Sequence, residues 1–352
     1  MASEKPIAVG IVGLGRSGWN IHAHALQNPV LTDKYKVVAV TDPITARMDE
    51  ARATFGCRTY PSLGSLIADK EVELVVVATL NNQHAGHSIN ALKAGKHVLC
   101  EKPMATSLAD ADKMVATAKE TGRILTINHN MRFTPALMKV KEILQSGVLG
   151  EIILIHLRSH SFRRRWDWQT LKEFDGGEMN NNASHSVDAA LFLLGDVQPQ
   201  VTCDLRRTPL CSGDAEDHVK IMLKAPGAPT VDIEVTNACA MPSEAFRVMG
   251  TCGGLAGSHS QLRWRYFDPK MLPARLASAE PTPDRSYNRE ELPWQEETWN
   301  KGQEDGSGYV PLYLDLYETL RHGKPLAITP ESVRRVIAVL EECRRQSPLY
   351  TK

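Results

Sequence analysis

A glycine-rich turn is the feature that most constrains how this chain folds. Gly13, Gly15 and Gly18 follow the apolar run Ile7–Val12 and precede a stretch with helical character. Between a strand and a helix, such glycines permit a tight turn, let the backbone approach a pyrophosphate, and let the helix pack closely on the strand. A phosphate there meets free N–H groups and the positive end of the helix. The turn that we predict to bind a dinucleotide consists of Gly13, Gly15, Arg16, Ser17 and Gly18.

Residues 1–127 alternate apolar runs with helix-like stretches, which is typical of a parallel sheet with helices on both faces. Near-continuous apolar runs suit strands that are buried on both faces. Helices are expected from His84 to Gly95 and from Ser107, an N-cap residue, towards Gly122. The expected strands are Ile7–Val12, Val37–Thr41, Leu74–Thr79, Val98–Cys100 and Ile124–Asn128.

The pattern changes beyond residue 127. After an expected helix over 135–145, longer β-type runs follow without regular helices between them, which favours a mostly antiparallel sheet. Residues 268–300 are rich in Pro, Glu and Arg and are expected to form a long surface excursion, and helical patterns return near Val310 and Pro330. The expected strands of this part are Ile152–Leu157, Val219–Leu223, Thr230–Val235 and Phe246–Met249.

The length of 352 residues predicts two domains, because one ordinary core does not grow to this size. We predict an α/β chain with a Rossmann NAD(P)-binding domain over residues 1–127. Residues 128–352 are predicted to form an α+β domain with a large open, mostly antiparallel sheet that binds substrate and mediates oligomerisation. The helices near the end of the chain can also pack back on the first domain.

Composition argues against several classes of protein. The 41 Lys and Arg residues balance 41 Asp and Glu residues, so no broad basic surface for nucleic acid or an anionic membrane is expected. The seven cysteines are an odd number without C-x-x-C spacing, which suits a reducing compartment. The run Ile7–Val12 is too short for a signal peptide or a spanning helix. His22 and His24 lie two residues apart and therefore diverge on a helix, whereas the ligands of a metal ion must converge. We expect a cytoplasmic protein with no bound metal ion.

Asp42 follows the second expected strand. An acid at this place accepts hydrogen bonds from the ribose hydroxyls and repels a 2′-phosphate, which favours NAD over NADP. The alternative is that Asp42 only caps the turn that begins with Pro43. Arg16 and Arg47 lie close enough in the sequence to keep NADP open as the cofactor.

Glu101, Lys102 and Pro103 follow the strand that ends at Cys100, and ligands bind beyond the carboxyl ends of strands in open α/β sheets. Lys102 can there hydrogen-bond a substrate hydroxyl. Partial desolvation beside a cationic nicotinamide would lower its pKa and let it exchange a proton. The alternative is an ordinary surface lysine in a turn.

A second polar group lies far away in the sequence. Asn181 precedes an expected helix over Ala183–Leu194, and His185 follows one turn later, so that the two can face one point. Asp188 can lie on the same side of this helix. A single histidine is more often structural, but an Asn and His pair opposite a strand-end lysine indicates a reacting centre.

Together these residues resemble the Gfo/Idh/MocA family of oxidoreductases over nearly the whole chain. The most specific segment runs from Ala94 to Pro103, and 132–133, 147–150 and 176–188 also match. The resemblance implies dimers or tetramers with paired open sheets, and often a cis Lys102–Pro103 bond. It implies substrate contacts from Lys102, Arg132, Asn181 and His185, with Lys102, Asn181 and His185 catalytic. The cofactor contacts that it implies beyond the turn and Asp42 come from Thr79, Asn81, His84, Glu101 and Lys102.

The function implied is an NAD(P)-dependent dehydrogenase that oxidises a secondary hydroxyl of a sugar, polyol, cyclitol or glycoside. His185 or Lys102 would remove the hydroxyl proton, and the other would stabilise the negative charge that develops on oxygen. The family often has Asp where this chain has Asn181, which can only orient groups by hydrogen bonds. Three alternatives stay open: redox-assisted glycoside processing with NAD, a non-catalytic regulator that senses nucleotide or sugar, and reduction of aromatic diols.

The segment Arg163–Trp168, with three arginines and two tryptophans, stands out in composition. It suits a substrate loop, because the ring of Trp166 can stack on a sugar and arginines donate to hydroxyls or carboxylates. It equally suits a packed loop or a contact between subunits, where Trp and Arg are also common.

Overall fold

The computed structural model describes residues 5–282, 284–302 and 306–351, and two β-sheets organise them. The first sheet has six parallel strands in the order β3-β2-β1-β4-β5-β6, the predicted Rossmann arrangement. Its strands are β1 (Ile7–Val12), β2 (Tyr35–Thr41), β3 (Arg58–Thr59), β4 (Leu74–Val77), β5 (His97–Cys100) and β6 (Leu125–Ile127).

Helices cover both faces of this sheet. Ser107 begins α4 as predicted, because its hydroxyl oxygen accepts from the N–H of Asp110 at 3.1 Å. The glycine turn leads into a π-helical segment, Gly18–Ala23, and a 3-10 turn, Asn81–Gln83, precedes α3. The α-helices of this part are α1 (Thr45–Phe55), α2 (Leu63–Ala68), α3 (His84–Lys93) and α4 (Leu108–Thr121).

The second sheet has eight strands and is antiparallel except where β7 and β10 run parallel. Its strand order is β14-β13-β12-β11-β7-β10-β9-β8. They are β7 (Ile152–His160), β8 (Gln200–Arg206), β9 (His218–Lys224), β10 (Thr230–Thr236), β11 (Phe246–Gly250), β12 (Gly253–Gly257), β13 (Gln261–Tyr266) and β14 (Gln295–Asn300).

One expectation for this part is wrong in detail. The predicted surface excursion over 268–300 ends in strand β14, which pairs with β13 at the edge of the sheet. Its side chains are mostly exposed, so it shows no alternation of apolar and polar residues that could reveal a strand.

Six further helical segments position the site, in addition to the short 3-10 turns Trp168–Thr170, Lys172–Phe174 and Pro269–Met271. A 3-10 turn, Asn130–Phe133, precedes α5, and a π-helical segment, Met179–Ala183, leads directly into α6. The α-helices here are α5 (Pro135–Ser146), α6 (Ser184–Leu194), α7 (Tyr309–His322) and α8 (Pro330–Gln346). Of the helices in the described ranges, none is long and apolar enough to cross a membrane.

Helix α8 contributes to both apolar cores. Val333 and Ile337, one turn apart, pack into the core of the first sheet together with residues of α7. Val336 and Leu340 pack into the core between α5, α6 and the second sheet. Two stripes with helical spacing therefore hold the two halves of the molecule together.

Candidate active site

The turn after β1 has a shape that suits a pyrophosphate. A Cβ atom on Gly18 would lie 1.8 Å from the Gly13 carbonyl oxygen, so turn and helix touch where only glycine fits. A Cβ atom on Gly15 would meet only the Arg47 guanidinium, at 4.0 Å, so that the backbone here borders open space. Arg16 is exposed and Ser17 lies in the first helical turn. The glycine turn therefore fits the phosphates of a dinucleotide.

Asp42 ties the end of β2 to this turn. Its buried carboxylate accepts from the backbone N–H of Leu14 at 2.6 Å and of Ile44 at 2.9 Å. The guanidinium of Arg47 lies 3.5 Å from the same carboxylate. The capping role that the sequence left open is therefore present, and the contact of Asp42 with a ribose stays a prediction.

Thr79, Asn81 and His84 lie at the carboxyl end of β4. The buried His84 ring lies 2.8 Å from the Pro103 carbonyl oxygen through Nδ1 and 3.2 Å from that of Thr79 through Nε2. Asn81 donates to the carbonyl oxygen of Asp175 at 2.8 Å, which links this edge to the loop before Asn181. In this structure the side chains of His84 and Asn81 join protein segments, and their contacts with a cofactor stay predictions.

Lys102 and Asn181 come together although 79 residues separate them. Lys102 Nζ donates to the Asn181 carbonyl oxygen at 2.8 Å and to its Oδ1 at 3.2 Å. Burial lowers the pKa of Lys102 to about 8; Glu101 opposes this change, and the charge of Arg16 adds to it. The Lys102–Pro103 bond is cis, as the resemblance implied. An amine with this pKa is available in its neutral form near neutral pH.

His185 lies in the first turn of α6 and close to this pair. Burial lowers the pKa of His185 well below its ordinary value, and the positive charge of Lys102 lowers it further. The ring of His129 packs edge to face against it, with centroids 5.6 Å apart. Burial lowers the pKa of His129 to about 4. Both imidazoles are therefore uncharged at neutral pH, and the ring of His185 can form a hydrogen bond with a substrate oxygen.

Arg132 is held by protein groups. Its Nη2 and Nε donate to the two oxygens of Asp188 at 2.5 and 2.9 Å, and its Nη1 donates to the Ser332 hydroxyl at 3.1 Å. Asp188 is fully buried and Arg132 nearly so. Arg132, in the 3-10 turn Asn130–Phe133, thus bonds to both α6 and α8, and the substrate contact predicted for it stays a prediction.

Glu101 anchors a buried network behind Lys102. Its Oε1 accepts from His22 Nε2 at 3.1 Å and from Asn128 Nδ2 at 2.8 Å. His22 Nδ1 lies 2.9 Å from the hydroxyl of Tyr313 on α7. Local patterns in the sequence could not reveal this network, because no such pattern links residues so far apart in the chain. The network fixes the strand end from which Lys102 projects.

The loop Arg163–Trp168 borders the same site. Glu178 is buried and lies three residues before Asn181 in the sequence. Its carboxylate accepts hydrogen bonds from Arg163 at 3.2 Å and from Arg165 at 3.4 Å. The charge of Arg165 contributes to lowering the pKa of Lys102. Trp166 is 78% exposed, so its ring is in solvent and its stacking on a substrate stays a prediction. No local signal marked Glu178 as the anchor of this loop.

A cavity of about 120 Å³ opens beside His185 and offers space for part of a small molecule. The cavity lining includes the polar residues Asn182, His185 and Ser186 and the apolar residues Met131, Leu157 and Phe246.

Among the residues that the structure describes, no group of three or more His, Cys, Asp or Glu side chains is arranged to hold a metal ion.

Curated relatives are similar over part of their length. The 2,7-anhydro-N-acetylneuraminate hydratase of Escherichia coli (strain K12) is 29% identical over 255 residues, which cover 71% of this chain and 67% of that protein. The myo-inositol 2-dehydrogenase of Thermotoga maritima is 31% identical over 198 residues, which cover 56% of this chain and 57% of that protein. The chain thus spans about half to two thirds of the length of the curated relatives that it matches.

Solved structures share the whole fold. The oxidoreductase yvaA from Bacillus subtilis has a TM-score of 0.80 at 19% identity, covering 97% of this chain and 96% of that chain. GenD2 from gentamicin A biosynthesis, solved in complex with NAD, has a TM-score of 0.76 at 22% identity, covering 98% of this chain and 95% of that chain. At these identities the likeness shows the fold alone.

Two family models match consecutive parts of the chain. The model described as "Oxidoreductase family, NAD-binding Rossmann fold" matches residues 7–129. The model described as "GFO/IDH/MocA C-terminal domain" matches residues 137–256. The two matches follow the order of the two sheets. The first includes Lys102, and the second includes Asn181 and His185. The chain belongs to the Gfo/Idh/MocA family of oxidoreductases.

Proposed function

We propose that this chain oxidises a secondary hydroxyl of a sugar, polyol, cyclitol or glycoside, with NAD as hydride acceptor. The observation that carries the proposal is the contact between Lys102 and Asn181, at the carboxyl edge of the parallel sheet and beside His185. In such sheets the ligand lies beyond the carboxyl ends of the strands. The amine, the amide and the imidazole are thus available to one substrate at this edge.

The properties of the two titratable groups divide their roles. Lys102, with a pKa of about 8, is near the operating range of a general base, and its neutral amine takes the hydroxyl proton. His185 has a pKa well below its ordinary value, so its neutral imidazole is a weak base and hydrogen-bonds the substrate oxygen instead. When bound, NAD supplies the acceptor for the hydride from the carbinol carbon.

NAD is the cofactor that we favour over NADP. The buried carboxylate of Asp42 beside the glycine turn would repel a 2′-phosphate. GenD2, a structural neighbour with the same fold, was solved in complex with NAD. Arg47, 3.5 Å from Asp42, is the group that would support the alternative with NADP.

A polyhydroxylated substrate suits the polar wall of the site. Asn128, Asn181 and His185 present amide and imidazole groups close to Lys102, and such groups pair with hydroxyls. The myo-inositol 2-dehydrogenase among the relatives supports a cyclitol or polyol. A screen of polyols, cyclitols, aldoses and glycosides for NADH absorbance tests the proposal. NADH formation supports it, and a complete set without NADH formation contradicts it.

A second function is favoured by one relative. The Escherichia coli protein that matches 71% of this chain is named as a hydratase rather than a dehydrogenase. In this alternative, NAD is reduced and reoxidised within one turnover while a glycoside or anhydrosugar is processed. Product that forms from a glycoside without net NADH would select this alternative over the dehydrogenase.

We further propose a homodimer or homotetramer in a reducing, cytoplasmic setting. The seven cysteines are all free thiols, which suits such a compartment. One face of the second sheet carries half-buried charged side chains such as Arg158, Lys220 and Asp232 rather than a packed core. We propose that another copy of the chain covers this open face. Light scattering at micromolar concentration tests this, and a monomer would contradict it.

A further inference from the structure

The segment that follows α8 lies against the loop that leads to Asn181. Lys172, within this loop, donates from Nζ to the carbonyl oxygen of Leu349 at 2.5 Å. The same ammonium lies 4.8 Å from the centre of the Tyr350 ring, within the range of a cation–π contact. Leu349 and Tyr350 are therefore fastened to the loop through Lys172.

Glu216 connects Tyr350 to the helical turn that carries Asn181. The carboxylate is 1% exposed and accepts from the Tyr350 hydroxyl on Oε2. Its Oε1 accepts from the backbone N–H of Met179, the first residue of the turn, at 2.9 Å. The carbonyl oxygen of Glu216 also accepts from the N–H of Glu178 at 3.0 Å. One buried residue thus holds two successive backbone amides just before Asn181.

The backbone at residue 177 is shaped to receive this carboxylate. Gly177 has a φ angle of +99°, and a Cβ atom there would lie 2.2 Å from Glu216 Oε1. A side chain at this position would displace the carboxylate from the amide of Met179. The close approach requires glycine and shows that loop and carboxylate fit one another without space to spare.

A second tether comes from the last turns of α8. Arg344 donates from Nη2 to Oδ1 of Asn180 at 2.7 Å and from Nη1 to the carbonyl oxygen of Thr106 at 2.8 Å. Asn180, the neighbour of Asn181, is thereby bonded to α8. The helix and the segment after it hold the turn at two points.

We propose that Tyr350, acting through Glu216, is a positioning residue for the pair of Lys102 and Asn181. Without the hydroxyl of Tyr350, one oxygen of a buried carboxylate loses its partner, and Glu216 moves towards water. The amide of Met179 then loses its acceptor and the turn loosens. Both acceptors of Lys102 belong to Asn181 in this turn, so the amine loses its fixed place. The inference rests on the proposed function for its effect on turnover.

Hydrogen exchange tests the link between Tyr350 and the turn directly. We compare wild type, Tyr350→Phe, and the control Tyr287→Phe, whose tyrosine is 86% exposed, by mass spectrometry. Exchange of the amides in 178–183 is expected to be about tenfold faster in Tyr350→Phe and unchanged in Tyr287→Phe. Amides of the central strand β10 should exchange alike in all three proteins. Unchanged exchange over 178–183 in Tyr350→Phe would overturn the inference.

Turnover separates this inference from the proposed function. With a substrate found by NADH formation, Tyr350→Phe is expected to lower kcat about tenfold and to leave the Kd for NAD unchanged, because the glycine turn belongs to the other sheet. Faster exchange with an unchanged kcat would overturn the positioning role. A wild type that forms no NADH contradicts the proposed function, while the exchange comparison still decides whether Tyr350 holds the turn.

Discussion

Lys102 donates from one ammonium group to both oxygens of Asn181, the carbonyl oxygen at 2.8 Å and Oδ1 at 3.2 Å. Neither acceptor carries a formal charge. The contact therefore fixes the amine without the strong preference for its charged form that a carboxylate partner would give. Burial can then lower the pKa of Lys102 to about 8. The amide at residue 181 thus suits a lysine that accepts a proton.

Replacing Asn181 by Asp is expected to move the pH profile. A carboxylate beside Lys102 favours the ammonium form and raises the pKa of Lys102 by about one to three pH units. A general base acts when deprotonated, so kcat/KM rises with pH, and its rising limb should move to higher pH by this amount. Asn300→Asp, on the exposed edge strand β14, is the control. An unshifted profile in Asn181→Asp would show that another group titrates.

The buried Glu101 predicts how acid affects stability. Burial alone would raise the pKa of Glu101, but the hydrogen bond from His22 and the charges of His22 and Lys102 hold it well below 4.5. A carboxyl whose pKa is lowered in the folded state adds stability that is full above pH 4.5 and is lost as the pH falls below it.

We therefore expect the free energy of unfolding of wild type, measured with urea, to fall more steeply between about pH 5 and pH 3 than that of Glu101→Gln. The variant is less stable at neutral pH because a charge-assisted bond to His22 is lost. Glu50→Gln, at an exposed position of α1, is the matched control and should follow wild type. Equal steepness in wild type and Glu101→Gln would contradict this role of Glu101.

The buried pair of Arg132 and Asp188, which joins the 3-10 turn Asn130–Phe133 to α6, is expected to contribute strongly to the stability of the fold. Asp188→Asn leaves the Arg132 charge buried without its partner and should lower the free energy of unfolding by about 3–5 kcal/mol. The exposed pair of Asp112 and Arg334 provides the control, and Asp112→Asn should be nearly neutral. Urea denaturation measures both, and similar effects of the two substitutions would refute the assignment.

Asp42→Asn tests the choice of cofactor. The substitution keeps the shape of the side chain and removes the charge that would repel a 2′-phosphate, and Arg47 is 3.5 Å away to receive it. The ratio of kcat/KM for NADP to that for NAD should rise about tenfold or more. Asp33→Asn, whose side chain is 71% exposed, controls for net charge. An unchanged ratio would leave Asp42 with a structural role only.

Local patterns predicted most of the fold for a physical reason. Strands β1 and β4 are buried on both faces, which forces continuous apolar runs that are visible in the sequence. The exposed edge strand β14 escapes this reasoning, since backbone pairing with β13 holds it. The two-residue strand β3 is too short for any pattern.

The site divides in the same way. Lys102 could be located because a strand end and the sheet topology place it at the ligand edge. The network of His22, Glu101 and Tyr313 could not, because its members meet only through packing of α7 on the first core. For Arg132, the sequence could suggest a nearby substrate but could not show that Asp188 occupies the guanidinium.

Turnover by Lys102→Ala tests the central claim most directly. With NAD saturating and NADH absorbance as the readout, we expect kcat/KM to fall at least about 100-fold, because the proton acceptor is lost. Lys113→Ala, at an exposed position of α4, should behave as wild type. A Lys102→Ala variant that folds, binds NAD and keeps full turnover would contradict the account.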